Sequence, residues 1–451
     1  MNKQKKLLLL VSVLVLASAI TLVVVKHEDT KEKIKNTPAT ILEWTEIDGV
    51  SWEYNGASYA FRKEDGIWTY PADTAFPVDG DKMNALLEQF GALGAAFTIE
   101  EVEDYGQYGL EKPICTITLT QGDGETTLTL GDYSQMDGER YASLGDGNVY
   151  LLSHDPLEEF DTDLTGLIQN DEIPDFDTLE TLTVSGEKND RFTRNEEGES
   201  LCDDDLYYRD SDGGALDTDL VNSFVRTLKN LDLTDYVTYN ATEEELQSTL
   251  LDNPAQTITV AYTQEDSTET GSVTLHLSKE EDPSEDEKGQ AYARVGDSPI
   301  LYRISDSAYE TLTACGYNDL RHQQVFSGDF AQAVEFTVSV EDKTAVFTYE
   351  TRDDEKEPAW YFEDTKVDLS DVQTALENLT ADEFTTTAPV DKQELSMTVK
   401  LDREGENEIT ISLYRQDGTQ SLARVNGKSL CYLPRSQAVA LTEALNAILL
   451  G

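Results

Sequence analysis

Four short stretches of this 451-residue chain carry residue types that do chemistry in other settings. Asn426-Gly427-Lys428-Ser429 holds a Gly-Lys-Ser, as a phosphate-binding loop does. The earlier glycine that such a loop needs is Leu422 here, and the stretch reads as a hairpin turn, not as a strand running into a helix. Asp79-Gly80-Asp81-Lys82-Met83-Asn84 and Asp210-Ser211-Asp212-Gly213 resemble fragments of calcium loops. Neither has the alternating Asp-x-Asp-x-Asp-Gly order with a distal Glu. Ser185-Gly186-Glu187-Lys188 fits Ser-x-x-Lys, but it lies in a strand turn without the companion motifs of acylating hydrolases. Carboxylate pairs suited to glycoside hydrolysis carry no information here, because a chain with 89 acidic residues offers them on almost any surface.

The metal-binding and thiol residues are equally sparse. His27, His154, His276 and His322 are far apart, so a His-based metal cluster would have to be assembled from scattered positions. The cysteines Cys115, Cys202, Cys315 and Cys431 include no Cys-x-x-Cys, which disfavours a zinc ribbon or a disulfide scaffold. Alternation puts Cys115 on one strand face with Ile117 and Leu119, as a small buried hydrophobe. Cys202 sits among acidic residues that disfavour its thiolate. Four free thiols are expected. No catalytic, cofactor-binding or metal-ligating residue is assigned, and no cofactor is expected.

The net charge of −55 repels nucleic acid phosphates, so no nucleic-acid partner is expected. The hydrophobic share of 39% supports packed cores along most of the chain. Residues 1–26 read as an N-terminal transmembrane anchor. Three lysines precede Leu7–Val25, an apolar run that would span about 28 Å as a helix. The run continues past the small-x-small sequence Ala17-Ser18-Ala19, which favours an uncleaved anchor over a signal peptide. Lysines nearly balance across it, and the short basic head before the apolar run favours a body outside the cytoplasm, in a single-pass protein of the cell membrane. Residues 27–40 read as a charged linker.

The rest of the chain repeats one order of elements three times. In the first copy an aromatic strand around Trp68 leads to Val78-Asp79, an amphipathic helix carrying Met83, Leu86, Leu87, Phe90 and Leu93 on one face, four strands and a short helical pattern. Ahead of it, Asn55-Gly56 between two alternating runs marks a hairpin with a type I′ turn. The second copy runs through Leu206-Tyr207-Tyr208, Leu216-Asp217 and a helix to Leu231; the third through Trp360-Tyr361-Phe362, Val367-Asp368 and a helix to Leu379. The expected units are 41–160, 177–315 and 330–448. The fold class expected is α+β: the transmembrane helix, then three related units of mainly antiparallel sheet with helices packed on one face.

Tyr108-Gly109-Leu110-Glu111-Lys112-Pro113, followed by Cys115-Thr116-Ile117, then Leu128-Thr129-Leu130-Gly131 and Tyr141-Ala142-Ser143, resembles the bacterial family known as domain of unknown function 4340. The resemblance is best over about residues 68–230. Leu251-Asp252-Asn253-Pro254 is a weaker counterpart in the second copy, and the third lacks the motif. The family has no established activity, so the resemblance implies no site residue. It implies a membrane-anchored protein associated with ABC-type transport or gliding-motility-like components, and hence an integral membrane partner such as an ABC-type permease. Bottom-up, the motif reads as structural: Gly109 makes a tight turn and Pro113 leads into a strand. The functional expectation is a non-enzymatic extracytoplasmic module, an accessory or binding component of a membrane assembly. The alternative is a carboxylate-based extracellular hydrolase acting on a cell-surface polymer.

Overall fold

The computed structural model describes residues 39–449 apart from 265–268, 282–283, 285–287, 341–342, 353–355, 391 and 404–406. The chain divides into two compact units, Met1–Asn170 and Asp171–Gly451. The first holds one antiparallel sheet, and the second holds two.

Hairpins fold the strands in order. Asn55 and Gly56 have φ of 50° and 81°, the left-handed pair of a type I′ turn, and join Gly49–Tyr54 to Ala57–Glu64. Across the first sheet the order is Ile67–Thr69, Ala57–Glu64, Gly49–Tyr54, Cys115–Gln121, Gly124–Ser134, Glu139–Ser143, Val149–Leu152, Leu93–Ile99 and Ala39–Leu42. The second sheet runs Tyr207–Arg209, Asp190–Arg194, Thr178–Gly186, Gln256–Thr263, Gly271–Lys279, Ala291–Val295, Leu301–Ile304 and Tyr236–Thr238. The third runs Thr365–Lys366, Ala359–Phe362, Lys343–Glu350, Ala333–Val340, Gln393–Leu401, Glu408–Arg415, Gln420–Val425, Lys428–Pro434 and Glu383–Phe384. Matched in chain order, all three follow one plan, apart from the added edge strands Ala39–Leu42 and Thr365–Lys366. A three-strand meander comes first and a helix follows. One strand then goes to the far edge, and a four-strand meander fills the space between.

This architecture corrects the α+β expectation. Strands dominate the described residues, helices are few, and among those residues no helix is long and apolar enough to cross a membrane. Leu7–Val25, where the sequence places the transmembrane helix, lies outside the described residues. The helical stripes exist but are cut short. Gly80–Glu88 ends in a single 3-10 turn, Gln89–Ala92, and Leu93, assigned by its spacing to the helix face, already opens the strand Leu93–Ile99. That strand pairs on both sides, with Ala39–Leu42 and Val149–Leu152, so sheet hydrogen bonding overrides the helical period there.

Each core lies where the alternating inward residues meet the helix. In the first unit Trp52, 1% exposed, stacks on Phe61 at 5.6 Å and meets Phe160 edge-on at 5.3 Å; Phe160 in turn meets Phe90. In the second unit, Phe336 and Phe347 of the third sheet stack at 4.6 Å over Val372 and Leu376 of the helix Ser370–Glu377.

His276 lies mid-strand in the second sheet, its Nδ1 3.0 Å from Thr257 Oγ1 and its backbone opposite Arg294. Burial, and then the Arg294 charge, push its pKa below the ordinary value. The unfolded chain therefore takes up this proton first, and the residue's contribution to stability falls as pH falls through about 6.5. An NMR titration, with the resonance assigned by its loss in His276→Gln, should give a midpoint below 6.5; one at or above that value contradicts the burial argument.

Candidate functional site

A grouping of a thiol, a carboxylate and an imidazole in the second unit is built from a turn and a linker. After the strand Asp190–Arg194 the chain loops through Ser200–Asp205 before Tyr207–Arg209. The loop is tied internally. Ser200 Oγ accepts from the Cys202 amide at 2.9 Å and lies 2.6 Å from Asp205 Oδ2 and 2.8 Å from the Cys202 carbonyl oxygen. It is also held from outside: Arg403 donates to the Leu201 carbonyl at 3.1 Å and pairs with Asp203 at 3.2 Å, while Gln332 Nε2 donates to Asp203 at 2.9 Å.

His322 arrives from the segment after the short helix Tyr317–Leu320. Its Nε2 lies 2.8 and 3.0 Å from the two Asp205 carboxylate oxygens, and its Nδ1 lies 3.5 Å from Asp217 Oδ2. Asp217 is fixed because its carboxylate also caps the helix Thr218–Lys229, accepting from the Asp219 and Leu220 amides. Cys202 Sγ completes a trio with Asp205 and His322 in which the donor atoms all lie within 4.8 Å of one another. Beside it is a cavity of about 230 Å³ lined by Ser200, Asp205, Tyr317, Arg321, His322 and Leu430, among others. Arg321 stacks on Tyr317 at 4.6 Å and on Phe384 at 4.4 Å; Arg209 also lies over Tyr317, at 3.6 Å.

The electrostatics follow from burial and crowding. Burial pushes the His322 pKa down, but the Asp205 hydrogen bond and the charges of Asp205 and Asp217 outweigh it and leave the pKa raised. Burial raises the Cys202 thiol, and Asp205, Asp204 and Asp217 add to the rise. A thiol held protonated in this way is no nucleophile. It is a soft donor that a cation could deprotonate. The other three thiols are inert for a simpler reason: burial pushes Cys115, Cys315 and Cys431 up to about 12. All four cysteines are free.

A second grouping, His154, Glu158 and Glu159 in the first unit, is local and exposed, with His154 Nε2 3.1 Å from Glu159 Oε1. The stretches that drew attention in the sequence have structural places. Asp79 caps Gly80–Glu88, accepting from the Asp81 and Lys82 amides at 3.0 Å. Asp212 pairs with Arg209 and accepts from the Gly214 amide. Asn426 and Gly427, with φ of 48° and 78°, turn the hairpin from Gln420–Val425 to Lys428–Pro434. Lys188 pairs with Asp319 at 2.5 Å. Spacing alone does not find the Cys202–Asp205–His322 trio, because His322 is far along the chain, in a stretch that reads as a boundary between repeats. The acidic turn around Cys202 is its only local signal.

The Tyr-Gly-Leu-x-x-Pro motif is a packing device. Gly109 has φ 73°, and a Cβ there would stand 2.6 Å from Asp132 Cγ and 2.8 Å from its backbone nitrogen. Leu110 is buried beneath the loop, and the Tyr108 ring lies 5.0 Å from Tyr141. The second sheet repeats the conformation without the glycine. Leu250 has φ 61° and its amide donates to the Gln247 carbonyl, as the Gly109 amide donates to that of Gly106; Leu251 is buried like Leu110.

Comparison with curated proteins finds no match. The family model described as "Domain of unknown function (DUF4340)" matches twice, over residues 68–245 and 208–402. Each match opens at the aromatic third strand of a sheet, at Trp68 of Ile67–Thr69 and at Tyr208 of Tyr207–Arg209, and together they reach well beyond the 68–230 that the sequence suggests. Since the two matches cover well over half of the 451 residues, this chain belongs to the DUF4340 family.

Proposed function

We propose that this chain is a non-enzymatic accessory or binding module, with its body outside the cytoplasm, that works beside an integral membrane partner of the ABC-type permease class. One observation carries the reading: the three sheets share a strand plan, and the polar groups they repeat, such as the cross-strand pairs Thr118–Thr127, Thr259–Thr274 and Thr398–Thr410, are structural, while a buried charged group does not recur. Register makes the comparison direct. Ala142, Ala293 and Ala423 stand opposite Leu130, Leu277 and Leu413, so Arg140, Ala291 and Ser421 occupy the matched position two residues earlier. The charged residue of the first sheet is thus replaced by small residues in the other two. A repeated frame whose buried charged group is not kept from copy to copy suits a scaffold that presents surface. The family resemblance supports the membrane setting, and the net charge of −55 favours basic partner surfaces over nucleic acid or anionic lipid.

Protease added outside intact cells stripped of any wall should digest the body. Crosslinking of the full chain in native membranes should recover one recurrent permease subunit. A protected body, or crosslinks confined to copies of this chain, refutes the reading.

A further inference from the structure

We propose that Cys202, Asp205 and His322 bind a late first-row divalent cation of the Zn²⁺ class. The donor set is one imidazole nitrogen, one carboxylate oxygen and one thiol sulfur, all within 4.8 Å of one another. Zn²⁺ accepts this mixture in tetrahedral sites, whereas Ca²⁺ and Mg²⁺ call for oxygen ligands. Three further observations point the same way. Asp217, held in place as a helix cap, stands 3.5 Å from His322 Nδ1, so its charge favours a proton kept on Nδ1 and leaves the Nε2 lone pair for a metal beside Asp205 and Cys202. That is the carboxylate–histidine arrangement that sets the tautomer of metal-bound imidazoles. Ser200 lies 2.6 Å from Asp205 Oδ2 and so orients a carboxylate whose side chain is only 2% exposed. The adjoining cavity of about 230 Å³ gives a path in and room for water as a fourth ligand.

Asp205 and Asp217 both face one imidazole, and the Arg321 guanidinium of the cavity wall is the positive group set against them. Binding M²⁺ forms bonds to sulfur, nitrogen and oxygen, and it releases the Cys202 thiol proton and any proton on His322 Nε2 to solvent. The metal would pin the Ser200–Asp205 loop to the segment after Leu320. The His154–Glu158–Glu159 grouping lacks these features: it is mostly exposed, has no sulfur, and serves as the internal control.

The test uses the full chain, reduced and stripped with chelator, titrated with Co²⁺ as a spectroscopic stand-in. One equivalent should bind with a thiolate-to-cobalt charge-transfer band, and Zn²⁺ should displace it. Cys202→Ser should abolish the band. His322→Gln should weaken binding at least tenfold, and Asp217→Asn about 10–100-fold while keeping the band. His154→Ala should change nothing. Circular dichroism of each stripped variant shows that the fold is intact. Absence of a band from folded protein, or a band that survives in folded Cys202→Ser, overturns the proposal. Neither result bears on the membrane partner, which the crosslinking experiment addresses separately.

Discussion

Arg140→Ala should cost the first unit about 3–5 kcal/mol, because it strands a buried carboxylate. Arg140 Nε lies 2.7 Å from both oxygens of Asp155, and both side chains are only 10% exposed. Its Nη1 donates to the Gly131 carbonyl at 2.8 Å, and the guanidinium lies over the Tyr133 ring at 5.5 Å. Asp155 in turn accepts from the Leu157 amide at 3.1 Å, at the start of the short helix Leu157–Phe160 that carries the core residue Phe160. Removing the arginine leaves Asp155 as a desolvated anion and the Gly131 carbonyl without its donor. The double replacement Arg140→Ala/Asp155→Ala should cost clearly less than the two single changes added together. In a Trp360→Phe background the remaining tryptophans, Trp44, Trp52 and Trp68, all lie in the first unit, so denaturant unfolding followed by fluorescence reports that unit alone. A loss below about 1 kcal/mol would mean that water reaches the pair and that it behaves as a surface ion pair.

How much of this was legible beforehand depends on the range of the interaction. Local signals read well. The Asn55-Gly56 hairpin and the alternation of Cys115, Ile117 and Leu119 both depend on residues within a few positions of one another, and both appear as read. Helix length read poorly, because an apolar residue such as Leu93 satisfies a helical stripe and a buried strand equally well. Partners on either side decide between them, and those partners, Ala39–Leu42 and Val149–Leu152, are distant in sequence. The far-edge strands Tyr236–Thr238 and Glu383–Phe384 are too short to show alternation at all. The candidate site was the least legible. His322 meets Asp205 only because the short helix Tyr317–Leu320 ends beside the Ser200–Asp205 loop, and no periodicity encodes that meeting. In sequence, nothing sets Arg140 and Asp155 apart in a chain rich in charge; their burial is a property of the folded sheet.

Gly131→Ala should cost the first unit about 3 kcal/mol, at the upper end of the overpacking range. A Cβ on Gly131 would stand 2.2 Å from the Tyr108 carbonyl oxygen and 3.0 Å from Leu110 Cγ. The first of these is backbone within the Tyr-Gly-Leu loop, which is fastened on both sides. The Gly109 and Leu110 amides donate to the Gly106 and Tyr105 carbonyls, and the Ile114 amide donates to Leu130. The loop can retreat only by giving up those bonds or by lifting Leu110 from the core. The second sheet shows the alternative solution. Leu130 pairs with Cys115 and Leu277 with Gln256, each two residues past the loop proline, so Ser278 is the counterpart of Gly131. Ser278 carries a side chain there, and its Oγ donates to the Thr249 carbonyl at 2.5 Å, which means that this loop stands off by one hydrogen bond. Ser278→Ala should therefore cost only about 1 kcal/mol, the net value of one hydrogen bond. Leu250→Gly should be close to neutral, since relief of a left-handed leucine, worth about 1–2 kcal/mol, is offset by the added freedom of glycine in the unfolded chain. The same fluorescence assay serves for Gly131→Ala, and amide exchange of the strand Gly271–Lys279 serves for the two second-sheet changes. If Gly131→Ala unfolds within about 1 kcal/mol of the parent, the loop is not clamped to the sheet and the packing account of the family motif fails.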